Sequence, residues 1–289
     1  MAASDIGGQK GYVDSHFHIW DLQKFDYPWP TSQEGPIYRN VSPKEYVNSL
    51  NGTPVRHGVF VQCLNGNPEE SKWVMDQAKS YPEVKGVVGG IDLTDPNLRE
   101  TLTDLRKYHL FKGVRHILDM EDPTWITRDD VHKGLTVLEE LGLTFDLLLR
   151  PHHLSYIPGV VAKFPRLKMV VDHIAKPYIK DKKIDQWKLD MSEIAKQSDN
   201  LYCKISGLVT EADWNSWQTE DFVPYVQHIL SCFGVDRVMF GSDWPVCTLT
   251  KASFNDVYDL FNRLISSLSV EDKVKVLRDN AKDFYSLDI

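Results

Sequence analysis

Short apolar runs rich in β-branched residues recur along the chain, each followed by a longer amphipathic stretch. The runs lie at 11–16, 58–63, 86–91, 113–118, 143–149, 168–172, 201–206 and 237–241. They are too short for helices and apolar at successive positions, which is the signature of parallel strands covered on both faces. The stretches between them, 43–50, 69–80, 96–108, 128–141, 154–164, 188–197, 221–233 and 254–268, carry helical periodicity. Punctuation agrees. Ser42-Pro43 with Glu45 three positions past the cap forms a capping box, and Asp95-Pro96 looks like the same device. Asn65-Gly66-Asn67-Pro68 supplies a turn, and Gly142 stands where a helix should stop.

Eight strand–helix units predict one α/β domain, a (β/α)8 barrel of the TIM type, over residues 1–289. The barrel core is expected over 10–268, with 269–289 as a short extra helix capping the outside. A doubly wound open sheet is the alternative, and the count of eight favours closure. The aromatic, proline-rich segment 20–40 follows the first strand on the side where barrel sites are built. It is either a packed insertion or the wall of a pocket.

Composition narrows the class. Hydrophobic residues are 42% and charged residues 26%, as in ordinary soluble proteins. The 33 Lys+Arg against 41 Asp+Glu leave a net charge of −8, so the basic footprint of a nucleic-acid binder or an anionic-membrane binder is missing. No apolar run nears the roughly 18 residues of a membrane span. The start has no secretory pattern, and the four cysteines, Cys63, Cys203, Cys232 and Cys247, have no paired spacing. Reduced thiols and a cytoplasmic protein acting on a small molecule are the expectation.

Alternation along Val13-Asp14-Ser15-His16-Phe17-His18 puts His16 and His18 on one face, toward the barrel axis, and Val13, Ser15 and Phe17 toward the helices. Two imidazoles so spaced suit a metal ion or a polarised oxygen. A chain with ten histidines also produces this pattern by chance. In the eighth run Met239, Gly241 and Asp243 share a face, so Asp243 tops the strand beside the first. There it ligates a metal or takes a proton from water; a plain turn-capping Asp is the other reading. His173 faces inward at the end of the sixth run and Asp172 outward. In the fourth run Arg115 is the inward cation, placed to clamp a substrate oxygen, and Lys112 is not. Lys204 and Ser206 alternate inward on the seventh. For these cations a salt bridge across the barrel is an equal reading. Arg150, His152 and His153 follow the fifth run. No nucleophile elbow or phosphate-binding loop occurs, and Gly7-Gly8 precedes the first strand, where it cannot make a dinucleotide turn.

The stretches DSHFHIWD (14–21), GVRHIL (113–118), DHIAKP (172–177), KISGL (204–208) and GSDWPVC (241–247) resemble the amidohydrolase superfamily, in particular its sugar-lactonase branch, over nearly the whole chain. The resemblance implies a (β/α)8 barrel that opens a lactone ester with activated water. It implies His16, His18, His173 and Asp243 as the residues for a single divalent ion such as zinc, or a site that works without metal. Arg150 stands where binuclear relatives need a bridging residue. Asp243, His173 and Arg115 take catalytic roles; Arg115, His16, His18, Trp20 and Lys204 contact substrate. Tyr27, Trp29, Trp125, Trp214 and Trp244 are candidate pocket walls. A zinc-dependent decarboxylase and a sugar-acid-binding barrel without turnover are the alternatives.

Overall fold

The computed structural model describes residues 11–289, so Gly7 and Gly8 and the first residue of the expected core lie outside the described part. All eight runs are strands: β1 Tyr12–Phe17, β2 Val55–Val61, β3 Val84–Gly90, β4 Phe111–His116, β5 Thr144–Leu147, β6 Met169–Val171, β7 Leu201–Ile205 and β8 Val238–Phe240. They form one parallel sheet in sequence order. Beyond β8 the chain closes the barrel, since the Asp243 amide donates to the His16 carbonyl at 2.9 Å and the His18 amide to the Trp244 carbonyl at 2.8 Å. The helices that follow the strands are α1 Pro43–Ser49, α2 Pro68–Gln77, α3 Leu98–Leu105, α4 Asp129–Leu141, α5 Ile157–Lys163, α6 Asp185–Ala195, the single turn α7 Leu208–Glu211, α8 Thr219–Phe233 and α9 Phe254–Leu264. None of the described helices is long and apolar enough to cross a membrane.

The caps explain several helix starts. Ser42 and Glu45 exchange the reciprocal bonds of a capping box, and Asn67 caps α2 through the Glu69 amide. Gly142 ends α4 at φ 66°, where a side chain would be strained. Asp95-Pro96 behaves differently from expectation. Asp95 accepts the Asn97 amide within a turn, and α3 starts at Leu98.

Both faces of the sheet are apolar, as parallel strands require. Phe17, Phe60, Phe145 and Phe240 pack outward into the helix layer. Inside, Val13, Val59, Val61, Val88, Val170 and Met239 meet the tail residues Phe284, Tyr285 and Leu287. This corrects two expectations. The tail, α10 Val270–Val274, a π-turn at Lys275–Asp279 and α11 Asn280–Tyr285, does not cap the outside; it plugs the barrel floor. Val13 points in rather than out, on the same face as His16, because the β1–β2 register shifts between Asp14 and Phe17 and breaks the alternation between them. Such an irregularity re-aims the residues after it: Asp14 faces α1, bonded to Tyr46, while His16 and His18 both face the axis.

Candidate active site

The end of the barrel where the strands finish gathers His16, His18, His173 and Asp243, all buried. Asp243 Oδ1 is the common point. It lies 3.2 Å from His18 Nε2, 4.0 Å from His16 Nε2 and 3.9 Å from His173 Nε2. The four residues expected to meet therefore do meet. Asp243 is aimed there by a left-handed backbone, φ 56°, just past β8. His173 begins a run of positive φ, with Ile174, Ala175 and Lys176 following. Non-glycine residues adopt this conformation only when the surroundings enforce it. Gly207 and Gly241 make the room. A Cβ on Gly207 would lie 2.6 Å from His173 Nδ1, and one on Gly241 would lie 2.8 Å from His16 Cβ.

Each imidazole is oriented from behind. His18 Nδ1 faces the Val61 carbonyl at 2.7 Å, so that nitrogen carries the proton and Nε2 is left as a lone pair. Facing it at 3.2 Å is a carboxylate oxygen, another acceptor. Two acceptors at that distance need a cation between them or a second proton on the ring. His16, His18 and Asp243 bring donor atoms within 4.8 Å of one another, and this set fits a divalent ion of the zinc type. His173 Nδ1 pairs with the Ser206 hydroxyl at 2.8 Å. His16 Nδ1 lies 3.4 Å from Asp172 and 3.2 Å from the Lys204 ammonium.

A buried ionic layer lies under the imidazoles. Lys204 Nζ is 2.6 Å from Asp146 and 3.0 Å from Asp172. Arg115 reaches Asp172 at 3.3 Å, His16 Nε2 at 3.3 Å and the Gln62 carbonyl. From the tail, the Tyr285 hydroxyl donates to Asp146 at 2.7 Å. Burial opposes the charge on Asp172, but Lys204, His16 and Arg115 outweigh it and hold the carboxyl well below its usual range. Burial likewise opposes the charge on Asp243, and the facing His173 and His18 rings, where they carry a proton toward it, more than offset burial and hold the carboxyl below its usual range. Burial pushes His173 down to about 4 and His16 well below its usual value, so both are neutral at neutral pH.

Some expected residues stand elsewhere. Asp172 is inside, not outside, because β6 turns Val170 inward and Val171 toward the helices, so alternation carries Asp172 to the axis; His173 then joins it through the left-handed turn that starts there. Lys204 is fully buried below His16 and does not reach the open mouth. Trp20 is also fully buried, with its indole N–H on the Arg39 carbonyl. The Arg115 guanidinium is engaged by Asp172 and Gln62. Of the walls, Trp125 stacks on His116 at 4.1 Å, Tyr27 donates to Glu70 at 2.5 Å, Trp29 packs on Trp20, and Trp214 is largely exposed. Segment 20–40 reaches the mouth at Pro28, which with Gln62, Arg115, His116 and Glu121 lines a cavity of about 420 Å³.

Sequence reasoning missed Asp14, Asp146 and Tyr285. Asp14 joins β1 to the end of β8, accepting from the Ser242 amide at 2.8 Å and hydroxyl at 2.6 Å. A lone carboxylate inside LTFDLLL could have flagged Asp146, since unpaired charges are rare in such runs. Tyr285 carries no local signal.

A family model described as amidohydrolase matches residues 13–287. An L-fucono-1,5-lactonase of Burkholderia ambifaria is 32% identical over 282 residues, covering 96% of each chain. An L-rhamnono-gamma-lactonase of Scheffersomyces stipitis is 23% identical, covering 95% of this chain and 98% of its own. A crystal structure of a Burkholderia multivorans amidohydrolase with bound zinc superposes with a TM-score of 0.90 at 28% identity, over 96% of this chain and 99% of that one. A match of this extent, on a barrel whose mouth holds the expected imidazoles and carboxylate, means that the chain belongs to the amidohydrolase family.

Proposed function

We propose that this hydrolytic enzyme is a lactonase that opens an aldonolactone to its sugar acid, with Asp243 moving the proton. The observation that carries the reading is the carboxyl of Asp243 within 3.2–4.0 Å of three imidazole Nε2 atoms at the barrel mouth. Attack of water on the lactone carbonyl builds negative charge on its oxygen, and ring opening expels an alkoxide. Asp243 takes the proton from the attacking water and returns it to the leaving oxygen. In the neutral tautomer whose Nδ1 accepts from the Ser206 hydroxyl, His173 presents an Nε2–H to the developing oxyanion. Arg115, Asp172 and Lys204 act one layer below, where they hold His16 in place.

His16, His18 and Asp243, with His173 beside them, would hold a divalent ion, which when bound supplies Lewis-acid polarisation of the carbonyl. A lactone is an activated ester, so the same residues also suit a reaction without it.

The test is direct. A panel of hexono- and pentonolactones is offered to the wild-type protein in weak buffer, and acid release is followed. One proton per lactone opened is expected for at least one sugar. Absence of release across the panel contradicts the reading.

A further inference from the structure

We propose that Asp119, Arg150, Lys176 and Glu211 are the specificity-determining rim of this mouth, contacting the hydroxyls of an uncharged lactone and rejecting lactones that carry a carboxylate. The inference rests on the lactone reading above and deepens it. The four residues follow β4, β5, β6 and β7 in turn, all on the mouth side. Arg150 Nη1 lies 3.1 Å from Glu211 Oε2, and its Nε lies 3.7 Å from Asp119 Oδ2. Lys176 Nζ lies 2.9 Å from the same Asp119 oxygen. Lys176 ends the left-handed turn that starts at His173, and its ammonium acts electrostatically on both His173 and Asp243. The row of alternating charge thus begins three residues past His173 and continues through the loops after β4, β5 and β7.

Its burial is intermediate, with side chains 11% to 31% exposed. In ion pairs buried to this depth the cost of desolvation offsets much of the attraction, so stability is a weak reason to assemble four charges from four loops. A row of alternating carboxylates and cations suits neighbouring hydroxyls, each of which donates and accepts. Charge balance then sets the substrate class. Arg115 meets Asp172, and Lys204 meets Asp146 and Asp172. Arg150 meets Glu211 and Asp119, and Lys176 meets Asp119. Each of these cations is already matched. A substrate carboxylate would have to displace a protein carboxylate or sit uncompensated beside Asp119, Glu211 and Asp243.

The experiment compares kcat/KM for a neutral hexonolactone and for an aldaric acid monolactone, which keeps one free carboxylate. The wild type should prefer the neutral lactone by at least about a hundredfold, as expected where a substrate charge has no partner. Glu211→Gln releases Arg150, and Asp119→Asn releases Lys176. Each should raise KM for the neutral lactone, improve turnover of the anionic one, and shrink the preference by at least about tenfold. Melting temperature identifies which variant is folded, and either suffices. An unchanged preference in the folded variants overturns the proposal, as does a wild type that prefers the anionic lactone. The neutral lactone is one that the wild type opens in the panel above; turnover of no lactone in that panel fells the lactonase reading itself, and this inference with it.

Discussion

Around His16 three kinds of neighbour compete for two ring nitrogens. Lys204 and Asp172 approach Nδ1, while Arg115 approaches Nε2. With the Nδ1 proton on Asp172, Nε2 is free as a ligand; with Nδ1 accepting from Lys204, Nε2 becomes a donor. The inward aim of His16, His18 and Asp243 was legible because strand alternation is geometric. The pairing of His16 with Asp172 and Lys204 was not legible, because strand alternation gives the face a residue points to and not the neighbour it meets across the barrel. Glu70 offers a pH test away from this centre. Burial pushes its carboxyl up to about 8, against the hydrogen bond from Tyr27. Below its ordinary value of 4.5 both folded and unfolded chains hold the proton. As pH rises from there toward about 8, the unfolded chain loses it first, so this group removes stability, by up to about 1.4 kcal/mol per pH unit. Glu70→Gln should therefore be increasingly stabilising relative to wild type between those limits in urea unfolding. A difference that stays constant with pH contradicts the assignment.

Among the elements, all eight strands and the helices that follow them were readable from apolar runs and periodic stretches, because a parallel barrel leaves little freedom in the pattern. Where the chain departs from regular geometry, the pattern failed. The register shift in β1 let Val13 and His16 share the inner face, and the left-handed turn after β6 brought His173 in beside Asp172. The tail was the largest miss, since its helical residues show amphipathicity but not which surface they cover. Phe284 and Tyr285 fill the barrel floor, fully buried among the inner valines. Phe284→Ala should cost about 3–5 kcal/mol in urea unfolding, as for other buried aromatic truncations. A loss below about 1 kcal/mol would mean that the tail does not seal the floor as described.

For the whole molecule, the negative surplus of 8 charges sits on a chain whose mouth cations are matched by carboxylates, which suits an uncharged substrate better than a polyanion. Architecture and affiliation follow from the order of strands and from the amidohydrolase match over residues 13–287. The chemistry depends on residues more than two hundred positions apart meeting at Asp243, and that carboxylate is where the account is most exposed. The decisive measurement is kcat for an aldonolactone at neutral pH with Asp243→Asn beside the wild type, both checked for equal melting temperature. Loss of the proton acceptor should lower kcat by roughly 10²- to 10⁴-fold. A folded Asp243→Asn protein that turns over lactone at the wild-type rate would contradict the mechanism.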